Sequence, residues 1–170
     1  MNTKNTNKKF KIVLSVGDES GIGPEIILKA LSSSEIPKNI DFILVGSKKN
    51  LQNTYIHLKA LGLNNLANPS DLQIHDLEIS SSDNGSKSSY GNSSFYYLTK
   101  AIEIVKQYPN SALVTGPICK KSWALAGHYF SGQTELLAES CGVKNVGMLF
   151  TAKSPITGWR LNTLLATTHI

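Results

Sequence analysis

The first 46 residues read as a strand, a glycine-rich loop, a helix and a second strand, in that order. Residues 10–16 alternate and are rich in β-branched side chains, whereas residues 42–45 form the continuous apolar run typical of a buried parallel strand. Between them, Pro24 suits the first helical position because its missing N–H would be unpaired there anyway. The helix that follows carries an apolar stripe of Ile26, Ile27, Ala30 and Leu31. Strand, helix and strand over roughly 35 residues predict a βαβ unit with a right-handed crossover.

The rest of the chain continues this alternation of helices and strands. Residues 80–94 are predicted to form a surface loop, since eight of these fifteen residues are serine. Four further helices are predicted: over 48–61, from about Phe95 to just before Pro109, over 118–126 and over 133–141. The further predicted strands are 72–79, 112–114, 145–151 and 159–167. The fold class is therefore α/β, with a mostly parallel sheet flanked by helices and an antiparallel hairpin near residue 170.

Composition excludes several classes of protein. The chain has 170 residues, of which 41% are hydrophobic and 17% charged, as in ordinary globular domains. Its net charge of +5 owes much to four lysines within the first eleven residues, and residues 1–8 are expected to be a disordered basic tail. The sequence lacks the basic face with interleaved aromatic residues that is typical of nucleic-acid-binding proteins. It also has no apolar run long enough to span a membrane. The two cysteines form no C-x-x-C pair, which favours reduced thiols and a cytoplasmic location.

Three loops follow predicted strands, where ligands collect in open α/β sheets. Residues 17–25 combine three glycines with a helix start, which suits an anion site but equally a tight structural turn. Residues 115–121 contain Lys120, which could hold a phosphate or carboxylate, or could simply be a solvated helix start. Residues 132–135 could bind a ligand, or Thr134 and Glu135 could merely cap and begin a helix. A fourth feature, His169, ends an apolar strand and is either a metal ligand or structural.

Taken in order, these segments resemble one enzyme family. Gly-Asp-x-x-Gly-Ile-Gly-Pro-Glu at residues 17–25, Thr-Gly-Pro-x-x-Lys at 115–120, Gly-x-Thr-Glu at 132–135 and Thr-Thr-His at 167–169 are similar in order and spacing to the motifs of 4-hydroxythreonine-4-phosphate dehydrogenases of vitamin B6 biosynthesis. The resemblance covers residues 11–170. Family members are about twice this length, so residues 9–170 are expected to be the N-terminal half of a two-domain enzyme whose second half is absent.

The resemblance implies a fold like that of isocitrate and isopropylmalate dehydrogenases and a reaction in two steps. The C3 hydroxyl of 4-phosphooxy-L-threonine is oxidised with NAD or NADP, and the resulting β-keto acid loses carbon dioxide to give 3-amino-2-oxopropyl phosphate. It also implies a divalent metal (zinc, magnesium or cobalt) and a homodimer in which both subunits build each site. A fragment of this length is expected to be inactive.

The resemblance also assigns roles to four residues. His169 falls on the first of three metal-ligand histidines. Gln133 and Thr134 fall on the substrate loop, where Gln133 stands in place of the family histidine and can hydrogen-bond but cannot accept a proton as imidazole does. Lys120 matches the lysine of the Thr-Gly-Pro motif and is expected near the substrate as a catalytic residue. The cofactor contacts are not identified.

Two other functions fit parts of the sequence. A sister dehydrogenase acting on D-threonate or D-erythronate 4-phosphate would carry much the same motifs. A non-catalytic α/β module that binds anions would explain the glycine loops and Lys120, but it gives no reason for the ordered set of motifs.

Overall fold

A computed structural model describes residues 9–79 and 85–166 of the chain. The chain divides into two compact units, Met1–Phe130 and Ser131–Ile170. The elements of the first unit are β1 (Phe10–Ser15), α1 (Gly23–Leu31), β2 (Ile40–Gly46), α2 (Lys48–Ala60), β3 (Ile74–Asp76), α3 (Lys87–Lys106), β4 (Ser111–Thr115) and α4 (Lys120–Leu125). Those of the second unit are α5 (Gln133–Cys141), β5 (Leu149–Lys153) and β6 (Arg160–Leu164).

The first unit is built on a four-stranded parallel sheet in the order β3-β2-β1-β4. Val13 of β1 lies opposite Ile43 of β2 on one side and Leu113 of β4 on the other. The core residues come from the central strands and from the inward faces of α1, α2 and α3, among them Val13, Leu28, Leu44, Leu51 and Tyr97. The predicted α/β class and parallel sheet are thus confirmed.

The inward face of α1 differs from the predicted stripe. Ile27 and Leu28 are buried, whereas Ile26 is 41% exposed and Ala30 is exposed. Gly23 and Pro24 at the helix start are also buried, so the buried face of α1 is displaced by one residue from the predicted apolar stripe. The stripe assigned to Ile26 and Ala30 was therefore wrong, although the helix itself was predicted correctly.

Helix α3 begins eight residues before Phe95, inside the stretch that was predicted to be a loop. The Ser86 hydroxyl caps it by accepting a hydrogen bond from the Ser89 N–H at 3.0 Å. The following turns pack closely on α4, and a β-carbon at Gly91 would lie 2.0 Å from the Ser122 carbonyl oxygen. Small residues are therefore needed on this face, and their tertiary packing outweighs their weak intrinsic preference for helix.

The third strand is shorter than predicted. Only Ile74–Asp76 pairs with β2, and the residues around it in the predicted range 72–79 are not in the ladder. A short strand at the edge of the described sheet limits pairing with other chains.

The second unit contains one helix and a two-stranded antiparallel hairpin, as predicted. Leu149 pairs with Leu164 and Lys153 with Arg160, so both strands are shorter than the predicted 145–151 and 159–167. The Ser154 hydroxyl stabilises the connecting turn by accepting from the Ile156 and Thr157 N–H groups. All ten strand residues are exposed in the described unit. The predicted basic tail, residues 1–8, lies outside the described residues.

Candidate active site at the carboxyl edge of the sheet

The loops that follow β1 and β4 meet at the carboxyl edge of the sheet. The Asp18 N–H donates to the Pro117 carbonyl at 2.8 Å, and the Gly116 N–H donates to the Ser15 carbonyl at 2.8 Å. Strand order reverses at β1, since β2 and β3 lie on one side of it and β4 on the other. Doubly wound sheets bind their ligands at this kind of switch point. Two of the loops predicted from the sequence therefore meet at this edge, which makes it a candidate ligand site.

Glycine is required where these loops touch. A β-carbon at Gly17, which has a φ of 81°, would lie 2.3 Å from the Pro117 carbonyl oxygen, and one at Gly116 would lie 2.3 Å from the Val16 carbonyl oxygen. Because both obstacles are backbone atoms, no side-chain rotation could relieve them. These two glycines therefore serve the close approach of the two loop backbones.

Asp18 holds the first loop in shape. Its side chain is only 6% exposed, and its carboxylate accepts hydrogen bonds from the Ser20 N–H at 2.9 Å and the Ser20 hydroxyl at 2.7 Å. This local pairing satisfies a carboxylate that would be costly to bury alone.

Glu19 connects the first loop to two helices. Its carboxylate accepts a hydrogen bond from the Tyr97 hydroxyl of α3 and another from the Ser47 backbone N–H before α2. Burial raises the pKa of Glu19, and these two hydrogen bonds partly oppose that shift. Burial and the neighbouring Glu19 carboxylate raise the pKa of Tyr97. No motif pointed to this pair, because the two residues are separated by 78 positions in the sequence.

Lys120 is the first residue of α4 and is exposed. The helix is anchored below it by Trp123, whose buried indole N–H donates to the Ser94 hydroxyl at 2.8 Å. No ion pair involves Lys120 within residues 9–79 and 85–166. Lys120 therefore presents an exposed side chain at the start of α4, five residues after the end of β4, a position that suits an anionic ligand.

Cys119 immediately precedes Lys120 as the N-cap residue of α4. The neighbouring Ser122 hydroxyl, and then the backbone N–H groups of Ser122 and Lys121, lower the pKa of its thiol by favouring the thiolate. Cys119 and Cys141 are both free thiols, as expected from their spacing.

Gln133 and Thr134 are the first two residues of α5 in the second unit, and both are partly buried. The N-cap residue is Gly132, and no side chain caps this helix. The alternative in which Thr134 caps the helix was therefore wrong, whereas Glu135 does lie in its first turn. Helix α5 is nine residues long, and the N–H groups of its first turn lie beside the two hydrogen-bonding side chains of Gln133 and Thr134. Such an arrangement suits an anionic group.

His169 and the rest of the Thr-Thr-His motif lie outside the described residues. Within residues 9–79 and 85–166, no three histidine, cysteine, aspartate or glutamate side chains are grouped so that they could hold a metal ion. The described part of the chain thus contains no complete metal site. No helix in that part is long and apolar enough to cross a membrane.

Comparison with known proteins agrees with the motif resemblance. The family model for "Pyridoxal phosphate biosynthetic protein PdxA" matches residues 38–170. A 4-hydroxythreonine-4-phosphate dehydrogenase of Nostoc sp. is 44% identical over 99% of this chain and 49% of its own length. A protein of the same name from Synechococcus sp. (strain RCC307) is 44% identical over 94% of this chain and 48% of its own length. A more distant relative from Oceanobacillus iheyensis, provisionally named a D-threonate 4-phosphate dehydrogenase, is 28% identical.

Solved structures show the same fold. The crystal structure of a 4-hydroxythreonine-4-phosphate dehydrogenase from Burkholderia phymatum matches 84% of this chain and 47% of its own, with a TM-score of 0.71 and 22% identity. A structure from Klebsiella pneumoniae matches with a TM-score of 0.67 and 24% identity. The chain spans about half the length of the curated relatives it matches. It belongs to the PdxA family of pyridoxal phosphate biosynthetic proteins.

Proposed function

We propose that this chain forms part of an NAD- or NADP-dependent dehydrogenase that oxidises the C3 hydroxyl of 4-phosphooxy-L-threonine in vitamin B6 biosynthesis. The product, 2-amino-3-oxo-4-phosphooxybutanoate, is a β-keto acid that loses carbon dioxide to give 3-amino-2-oxopropyl phosphate. The observation that carries this proposal is the 44% identity to the Nostoc dehydrogenase over 99% of the chain, with the ordered motifs in place.

In this proposal, Lys120 is a catalytic residue near the anionic substrate, and Gln133 and Thr134 are substrate-binding residues, as the motif resemblance implies. Lys120 offers an exposed ammonium group after β4, and the start of α5 offers backbone N–H groups together with Gln133 and Thr134. Gln133 can donate and accept hydrogen bonds but cannot act as a general base near neutral pH, so its role is to orient the substrate. The positive charge of Lys120 holds the anionic substrate in place close to its reacting carbon.

His169 is proposed as the one metal ligand contributed by this chain. A divalent ion, when bound, supplies Lewis-acid stabilisation of negative charge on the substrate oxygen. Imidazole nitrogen suits zinc and cobalt, and catalytic zinc sites usually have three protein ligands. As the resemblance implies, the remaining ligands and the principal contacts to the nicotinamide cofactor come from the other half of the full-length enzyme, which acts as a homodimer.

The 170-residue chain alone is therefore expected to be inactive, and its function is best tested in a hybrid. Residues 1–170 would replace the matching half of the Nostoc relative. Thr134→Ala in this hybrid should lower kcat/KM, chiefly through KM, by about 10- to 100-fold, as expected from loss of a hydrogen bond of ~1.5–3 kcal/mol to a charged group. Thr151→Ala, on the exposed hairpin, is the matched control and should leave kinetics unchanged. Equal kinetics for the two variants would remove Thr134 from the substrate site.

A sister activity on D-threonate 4-phosphate is the second candidate, because a relative provisionally given that activity matches 96% of the chain. Its identity of 28% is well below the 44% of the 4-hydroxythreonine-4-phosphate dehydrogenases. The hybrid should therefore have the higher kcat/KM for 4-phosphooxy-L-threonine. A higher value for D-threonate 4-phosphate would assign the chain to the sister activity.

A further inference from the structure

Lys120 lies between two points at which its chain segment is held to the rest of the first unit. Three residues before it, the Pro117 carbonyl accepts a hydrogen bond from the Asp18 N–H at 2.8 Å. Three residues after it, the Trp123 side chain is fully buried, and its indole N–H donates to the Ser94 hydroxyl of α3 at 2.8 Å. Helix α4 has only six residues, too few to be stable in water alone, so tertiary contacts of this kind set its orientation.

The hydrogen bond between Trp123 and Ser94 belongs to a longer buried chain. Ser94 is itself 0% exposed, and its hydroxyl donates to the Gly91 carbonyl, one turn earlier in α3, at 3.0 Å. Because a serine hydroxyl has a single hydrogen, this bond leaves its lone pairs to accept from the indole. The direction of the acceptor is therefore fixed by α3. A satisfied buried chain of this kind favours one arrangement of the two helices.

Other contacts between α3 and α4 set the distance between the helices or lie farther along α4. The backbones approach closely at Gly91, where a β-carbon would lie 2.0 Å from the Ser122 carbonyl oxygen. A second hydrogen bond, from the exposed Ser88 hydroxyl to the Leu125 carbonyl at 3.2 Å, lies at the end of α4. Apolar packing is non-directional, whereas a hydrogen bond weakens steeply as its angle departs from linear. Ser94 therefore supplies a buried, directional contact close to the start of α4.

We propose that Ser94 is a positioning residue for Lys120: by fixing Trp123, its hydroxyl orients α4 so that Lys120 meets the anionic substrate. This inference rests on the proposed function, in which Lys120 lies near the substrate. Ser94 acts through α4 and not by contact with the substrate, because its side chain is completely buried. A misplacement of about 1 Å in a catalytic group can lower the rate about 100-fold. The long lysine side chain recovers part of such a shift, so we expect a loss of about tenfold.

Kinetics of the hybrid enzyme test this coupling. Ser94→Ala should lower kcat/KM for 4-phosphooxy-L-threonine about tenfold when Lys120 is present. In a Lys120→Ala hybrid, the same Ser94→Ala substitution should change kcat/KM by less than about twofold, because the group that Ser94 orients is gone. Equal losses in the two backgrounds would show that Ser94 acts on the fold as a whole, and they would overturn the proposal.

Ser111→Ala is the matched control for the loss of a hydroxyl. The Ser111 hydroxyl donates to the Tyr108 carbonyl at 2.6 Å, at the end of β4 opposite to the one that leads to Lys120. This substitution also removes a hydrogen bond from the first unit, but it should leave kcat/KM unchanged. A loss of kcat/KM as large as that of Ser94→Ala would mean that turnover follows stability and not the position of Lys120, which would also overturn the proposal.

A second measurement does not need turnover. In the 170-residue chain, Ser94→Ala should shift the backbone amide NMR signals of Lys120 and Lys121, and Ser111→Ala should leave them in place. Unmoved signals in Ser94→Ala would overturn the proposal. An inactive unsubstituted hybrid would count against the proposed function instead, and the NMR shifts would still decide whether Ser94 orients α4. If Ser94→Ala does not fold, Trp123→Phe removes the same hydrogen bond and takes its place in both experiments.

Discussion

Gly116→Ala should separate the two loops that form the candidate site. The added β-carbon would lie 2.3 Å from the Val16 carbonyl oxygen and 2.7 Å from the Ser15 carbonyl oxygen. Ordinary contact begins at 3.4 Å, so the backbone must part by about 1.1 Å. Overpacking of this kind costs ~1–3 kcal/mol, and weakening the 2.8 Å bond from the Gly116 N–H to Ser15 costs a further ~0.5–1.5 kcal/mol. We expect the free energy of unfolding to fall by about 2–4 kcal/mol.

Urea unfolding of the 170-residue chain measures this loss directly. Gly21→Ala is the matched control, because a β-carbon there would meet only the Asp18 carbonyl oxygen, at an ordinary 3.5 Å. The control should change stability by less than about 0.5 kcal/mol. If Gly116→Ala were as stable as the control, the close approach of the two loops would not exist in solution.

Two further predictions concern buried polar contacts of the first unit. Ser94→Ala should destabilise the protein by ~1–3 kcal/mol because it leaves the Trp123 indole N–H buried without an acceptor. Trp123→Phe removes that donor but also buried volume, so the double variant should lose less stability than the sum of the two single losses; additive losses in urea unfolding would contradict this coupling. Glu19 has a raised pKa in the folded state, so it stabilises the protein most below about pH 4.5 and loses that contribution as pH rises through the folded pKa. Glu19→Gln should therefore gain stability relative to wild type as pH rises, and a pH-independent difference in unfolding free energy would argue against it.

Patterns that depend on neighbours in sequence predicted most of the fold. The apolar run at residues 42–45 identified β2 because a parallel strand is buried on both faces. Proline at residue 24 located the start of α1 because it can occupy only the first turn of a helix without cost. Both signals express local backbone chemistry, so they can be interpreted without knowing the tertiary structure.

Features that depend on distant contacts were not predictable in this way. The first turns of α3 are rich in serine and glycine, a composition typical of loops. The reason for these small residues is the close packing of Gly91 against α4, which the sequence alone does not show. The hydrogen bond between Tyr97 and Glu19 joins residues 78 positions apart, and no local motif contains both of them. The contact between Asp18 and Pro117 likewise arises only when β1 and β4 become neighbours. The substrate and metal roles of Lys120, Gln133, Thr134 and His169 remain predictions that rest on the motif resemblance.

The most direct test of the proposed function is the metal-dependent turnover of the hybrid enzyme. The hybrid would be assayed with 4-phosphooxy-L-threonine, a divalent metal and NAD or NADP, following absorbance of the reduced cofactor. We expect turnover on the order of 10 per second for the hybrid, and none for the hybrid carrying His169→Ala or for the 170-residue chain alone. A His169→Ala hybrid with normal metal-dependent turnover, or a 170-residue chain that is active alone, would contradict the proposal that this chain contributes one ligand to a site completed by the other half.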